Sequence, residues 1–195
     1  MYTIDVQLFR AVNNLANRFA WLDAVGTFVA TYFPFFLAAF LVVKWFQKRK
    51  DAAYRVVLLL SIITFVISEV IAKLLGKLYE HVQPFAALPE VHQLIEKDIG
   101  NSFPSDHTVL IFSFMIVLFL HTKTKSRYVY LLVAILAGLS RIFVGVHYPS
   151  DVIVGATIAI VVGCFCYYLL KNSIALEKTE AVFSTIEARI FGEVK

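Results

Sequence analysis

An all-α, polytopic membrane bundle of about five spans, with amphipathic surface helices at both ends, is what this sequence predicts. Three observations lead there. Apolar residues make up 59% of the 195 residues and charged ones only 16%, against roughly a quarter in an average soluble domain. The apolar residues gather in long runs, the pattern of helices that cross a bilayer. The loops between those runs alternate in basic content, as orientation by charge requires. The length argues for one domain over 1–195. High hydrophobicity excludes a disordered chain, and so little charge argues against an ordinary soluble enzyme. The net charge of +4 is read as loop charge rather than a nucleic-acid footprint, so no nucleic-acid partner is expected.

The elements follow in chain order. Within 1–20, Ile4, Leu8, Val12, Leu15 and Phe19 recur at helical spacing, with Arg10, Asn13, Asn14, Asn17 and Arg18 between them. This predicts a helix lying on the membrane surface. No basic n-region precedes a short apolar core, so no cleavable signal is expected. Span 1 runs from about Trp21 to Val43 and span 2 from about Val56 to Leu75. Span 3, from Thr108 to Leu120, is too short to cross about 30 Å of hydrocarbon unless its helix starts near Phe103 or Pro104. That start puts Ser105, Asp106 and His107 in its first turn. Span 4 starts at Tyr128 and carries Arg141 near its far end. Span 5 runs from Val152 to about Leu170. Loop 76–103 is long enough to be functional. Pro89, Val91, Leu94, Ile95 and Gly100 predict a short amphipathic helix in it, acting as a lid. The tail 171–195 holds a second surface helix over 180–191, to which no chemistry is assigned. Cys164 and Cys166 lie two apart on a helix, face different ways and read as small apolar fillers.

The segments 44–55 and 121–127 and the start of the tail are rich in Lys and Arg, whereas 76–103 holds only Lys77 and Lys97 beside Glu80, Glu90, Glu96 and Asp98. The positive-inside rule makes the first group cytoplasmic and loop 76–103 external. Lys73 and Lys77, then Ser105, Asp106 and His107, then Arg141, His147 and Asp151 all fall at outer helix ends. These residue types suit phosphate. Lys and Arg neutralise it, and a helix N-terminus with Ser105 adds N–H and O–H donors. Two imidazoles are available for attack and proton transfer. His147 and Asp151 are four apart, so the carboxylate can fix the tautomer of the ring.

Phe103-Pro104-Ser105-Asp106-His107 resembles the PSxH motif of the type 2 phosphatidic acid phosphatase (PAP2) superfamily. The run Ser140-Arg141-Ile142-Phe143-Val144-Gly145-Val146-His147-Tyr148-Pro149-Ser150-Asp151 resembles its SRxxxGxHxxxD motif. The resemblance covers roughly 20–170. Chain size, span layout and the Asp after the motif Ser are similar to undecaprenyl-diphosphate phosphatases of the bacitracin-resistance type. The resemblance implies that His147 attacks the terminal phosphorus, Asp151 supports it, and His107 protonates the leaving group and then activates water. It implies that Ser105 and Arg141 hold phosphoryl oxygens, and that neither metal nor cofactor is needed. The first family motif, Lys, six residues, Arg-Pro, is imperfect here. Gln83 precedes Pro84, and Lys77, or Lys73 one turn back, stands nearest the Lys position. Lys77, Lys73 and Gln83 are therefore the substrate-binding candidates for that motif. Asp106, where the family often has Gly, is expected to point away from phosphate or to cap the helix.

Blander readings stand beside these. His81, His92 and His121 read as interfacial residues, and Glu69 with Lys73 as a structural pair. The expected substrate is a lipid diphosphate at the outer leaflet of a bacterial plasma membrane, with membrane lipids as the other contacts and the oligomeric state open. A phosphatidylglycerol phosphate or phosphatidate phosphatase, and a non-enzymatic export component, are the alternatives.

Overall fold

A computed structural model describes residues 2–191, and these contain eight helices and no strand. They are α1 (Tyr2–Asn13), α2 (Ala20–Gln47), α3 (Ala52–Leu78), α4 (Pro84–Ala87), α5 (Asp106–His121), α6 (Arg127–Phe143), α7 (Pro149–Leu170) and α8 (Ile174–Phe191). Helices α2, α3 and α7 are long and apolar enough to cross a membrane. The remaining two bundle helices, α5 and α6, have 16 and 17 residues. At 1.5 Å per residue α5 extends only about 24 Å. It tolerates this because it is the inner helix, packed against α3, α6 and α7 and mostly buried.

Two expectations are corrected here. Helix α5 begins at Asp106, so Phe103 and Pro104 lie outside it and Ser105 occupies the N-cap position. The chain before it is shaped by Asn101. Its Oδ1 accepts from the His81 and Phe103 N–H groups, and its Nδ2 donates to the carbonyls of Gly76 and Tyr79. The helix expected between Pro89 and Gly100 is also absent. A single turn, α4, forms earlier, with Pro84 at its start. The backbone of the later segment bonds elsewhere: Leu94 N–H to Val144 O at 3.1 Å and His92 N–H to Asn13 Oδ1 at 3.0 Å. Those partners outcompete the local i→i−4 ladder, which is marginal in so short a helix.

The helices at both ends form, and each buries polar groups as well as apolar ones. On α1, Ile4 and Leu8 point outward while Phe9 and Asn13 are buried; in the turn that follows, Leu15 and Phe19 are exposed and Ala16 is buried. Asn13 Nδ2 donates to the carbonyls of His92 and Phe143, and Arg10 donates to those of Pro89 and Glu90. On α8, Val182, Phe183, Ile186, Ile190 and Phe191 are exposed, while Glu180 and Glu187 are buried. Both carboxylates take Arg55 of α3, at 3.2 and 2.8 Å, and Arg55 lies over the Trp45 ring. A cavity of about 800 Å³ near this contact, lined by His121, Lys123, Lys171 and Glu177, holds none of the motif residues.

Removing one member of a buried ion pair strands the other, at a cost of about 3–5 kcal/mol. Arg55→Ala is therefore expected to lower the thermal midpoint in detergent and to open α8 to proteolysis within 174–191. Unchanged cleavage would show that other contacts dock this helix.

Candidate active site

The site lies where α3 and α6 end and α5 and α7 begin. Small residues let these ends approach. A Cβ on Gly155 of α7 would sit 3.2 Å from Ser105 O, so only glycine permits this contact without a shift. The Ser105 N–H donates to Asp151 O at 3.2 Å, joining the starts of α5 and α7. Gly145 makes the turn from α6 toward His147 with φ +87°, and a Cβ there would be 2.7 Å from His92 O. Both its conformation and its crowding demand glycine.

Asp151, wholly buried, is the third residue of α7, after Pro149 at the helix start. That position favours a carboxylate through the helix dipole. Its Oδ2 accepts the Tyr148 N–H at 2.9 Å, and its Oδ1 takes His81 Nδ1 at 3.0 Å. His147 Nδ1 lies 3.5 Å from Oδ2, too far for a good hydrogen bond, and the ring is buried. Burial lowers the His147 pKa to about 4, so the imidazole is neutral at pH 7. Its Nε2 meets Lys97 Nζ at 3.1 Å. An ammonium only donates, so Nε2 carries the lone pair and Nδ1 the proton.

His107, in the first turn of α5, lies two residues past Ser105, whose N–H reaches Asp151 O, so the chain segments that carry the two motif imidazoles meet. Both motif imidazoles thus share one site. Ser105 is fully buried, and among the described residues neither its Oγ nor Arg141 Nε has a hydrogen-bond partner. Arg141 is aimed by a defect in α2. Pro34 lacks an N–H, so the Ala30 carbonyl loses its donor four residues on. Arg141 Nη1 supplies the substitute at 2.7 Å.

The first-motif candidates are placed differently. Lys73 pairs with Asp106 at 2.7 Å and with Glu69 at 3.3 Å. Asp106 thus engages a lysine rather than capping through its side chain. Lys77 is exposed, with no hydrogen bond or ion pair among the described residues. Gln83 is buried, but it faces loop 98–100, accepting from Gly100 N–H at 2.8 Å and donating to Asp98 O. It holds that loop.

Sequence reasoning passed over four groups. His81, read as interfacial, binds Asp151 and stacks on Tyr148 with ring centres 4.3 Å apart. The Asp151 hydrogen bond, outweighing burial, holds His81 above its ordinary pKa of 6.5. Lys97, counted only as loop charge, reaches His147. Asp5 on α1 accepts from Ser150 N–H at 2.9 Å and from its hydroxyl, bracing the start of α7. Pro34 sets Arg141; a proline inside an apolar span was the available signal. Beside His107, a groove of about 330 Å³ opens among Pro34, Phe35, Phe65 and Leu110, with Glu69 and Asp106 at its polar end.

Pro34→Ala supplies an N–H that competes with Arg141 for the Ala30 carbonyl. Inorganic phosphate is expected to bind about tenfold more weakly, the size of one net hydrogen bond, while α2 becomes no less stable. Phosphate affinity equal to wild type would show that Arg141 is held otherwise.

Comparison with known proteins agrees with this arrangement. The chain is 37% identical over 187 residues to the "Bacitracin transport permease protein BcrC" of Bacillus licheniformis, covering 96% of this chain and 91% of that one. It is 31% identical over 164 residues to the "Undecaprenyl-diphosphatase BcrC" of Bacillus subtilis (strain 168), covering 82% and 81%. Among solved structures, Aquifex aeolicus LpxE superposes with a TM-score of 0.73 at 30% identity, over 85% of this chain and 95% of that one. The PAP2 superfamily profile matches residues 56–175, which span both histidine motifs. With that match and those relatives, the chain belongs to the PAP2 superfamily.

Proposed function

We propose that the protein hydrolyses undecaprenyl diphosphate to undecaprenyl phosphate and phosphate at the outer face of a bacterial plasma membrane. This activity supports recycling of the cell-wall lipid carrier and bacitracin resistance. The observation that carries the reading is a buried, neutral His147 whose Nε2 meets the Lys97 ammonium, together with an apolar groove lined by the other motif histidine, His107. Such a site suits a phosphorylated headgroup on an apolar chain. The relative named as an undecaprenyl-diphosphatase supports the choice of lipid.

In the proposed sequence, His147 Nε2 attacks the terminal phosphorus. The bond to the bridging oxygen breaks, and its electron pair leaves with the lipid phosphate, which takes a proton from His107. The product on the enzyme is a phosphohistidine. His107 then removes a proton from water, whose oxygen attacks phosphorus. The P–N bond breaks, releasing phosphate and restoring Nε2. Ser105 and Arg141 hold the phosphoryl oxygens, and Asp151 stabilises the charged ring. Catalysis comes from positioning and charge stabilisation. Lys73 and Lys77, at the rim, are the candidates to meet the second phosphate.

Detergent-solubilised protein is expected to release phosphate from undecaprenyl diphosphate, with chelator present, more efficiently than from phosphatidylglycerol phosphate or phosphatidate. His147→Ala is expected to cut the rate at least about a thousandfold, as loss of a nucleophile does. Equal activity in that variant removes His147 from the chemistry; preference for a monophosphate changes the substrate. Orientation is checked separately. A cysteine introduced in loop 76–103 should react with an impermeant thiol reagent in intact cells, and one at 122–126 should not. The reverse pattern puts the site in the cytoplasm.

A further inference from the structure

Around His147 the charges do not balance by pairing. Asp151 is engaged by His81 and the Tyr148 N–H. Asp106 is engaged by Lys73. Arg141 donates to a neutral carbonyl. Lys97 forms no ion pair among the described residues, and its Nζ meets only a neutral acceptor, His147 Nε2. A partly buried ammonium without a carboxylate partner is costly. Burial, then the charge of Arg141, lowers Lys97 to about 8. An anion arriving at Nε2 relieves that cost.

Lys97 is also held there by construction. On one side Leu94 N–H binds Val144 O at 3.1 Å. On the other, Gln83 grips Asp98 and Gly100. Farther back, Asn13 holds His92 through both its N–H and its carbonyl. The segment has no helix of its own, so these contacts set where Lys97 points.

We propose that Lys97 is a substrate-binding residue, whose ammonium leaves His147 Nε2 when substrate enters and takes a nonbridging oxygen of the terminal phosphoryl group. The inference rests on the phosphatase reading. In the empty site Lys97 covers the nucleophile and fixes its tautomer. In the occupied site it becomes the cation opposite Arg141. The segment from Leu88 to Gly100 thus delivers a charge to the headgroup, and Gln83 acts on phosphate only through it.

Lys97 contacts His147, and the charged or titratable groups that act on it through space are Arg141 from α6, His107 and Asp106 from α5, Asp151 from α7 and Lys73 from α3. Lys97 is charged below about 8 and loses its proton above it. Phosphate binding should therefore weaken as pH rises through that value, and kcat/KM, which reports the free enzyme, should show an alkaline limb there.

The test compares wild type, Lys97→Met, Lys97→Arg and His147→Ala, with inorganic phosphate as the binding probe and a prenyl diphosphate as substrate. Lys97→Met is expected to weaken phosphate binding and raise KM about ten- to a hundredfold, the range for a charge-assisted hydrogen bond. Lys97→Arg should retain most of the binding and lose the limb near pH 8. His147→Ala should still bind phosphate while losing turnover. Phosphate binding by Lys97→Met equal to wild type, with an unchanged thermal midpoint, overturns the proposal. So does an alkaline limb that persists in Lys97→Arg, a measurement that stands even if Lys97→Met does not fold. A wild type that hydrolyses lipid phosphates while Lys97 variants behave normally rejects this role alone. A wild type that neither hydrolyses them nor binds phosphate rejects the phosphatase reading as well.

Discussion

The buried carboxylate of Asp151 is the tie on which the site depends. It lies at the start of α7, where the helix dipole favours its charge, and reaches the Tyr148 N–H and His81 with its two oxygens. Its main-chain carbonyl takes the Ser105 N–H. One residue thereby links α7, the start of α5 and the chain leaving α3. Away from water each of these groups must find a partner inside the protein. The same residue that fixes the backbone just after His147 therefore also closes the end of the bundle. Helix α1 extends the arrangement through Asp5 and Ser150.

A second regularity concerns where polar residues go. Both end helices expose apolar side chains, and each buries polar groups beside an apolar contact, Phe9 on α1 and Leu176 on α8. On α1 the inward polar group is Asn13; on α8 they are Glu180 and Glu187, on Arg55. Lipid covers an outward apolar stripe without penalty. Inward groups supply hydrogen bonds and ion pairs, which give these contacts a defined geometry. The same logic operates at Pro34, where a missing N–H in α2 creates an acceptor that Arg141 uses.

The site then divides into two parts. Helix ends supply His107, Arg141 and Asp151, and the short turn between α6 and α7 supplies His147. The segment between α4 and α5 supplies Lys97, held by contacts to α1, to Gln83 and to Val144. Helix ends suit groups that must keep one geometry through a reaction. A loop pinned at intervals suits the cation that we propose exchanges one partner for another.

How much was legible in the sequence follows from what each feature requires. Apolar run lengths and loop charge were enough for an all-helical membrane bundle, because the bilayer imposes both. Two compact motifs located His107, Arg141, His147 and Asp151, because residues a few positions apart on helix ends have little freedom to separate. Local patterns misjudged the stretch from 89 to 100, where long-range partners took the backbone bonds a helix needs. They also left out His81, Lys97, Asp5 and Pro34. Each of these acts on a residue at least fifty positions away or, for Pro34, through a carbonyl that Arg141 reaches from another helix. Sequence alone determined the class of the fold and the residues for which phosphate-directed chemistry is proposed. Tertiary structure alone decided which cations face His147, since that depends on how distant segments meet in a low-dielectric interior.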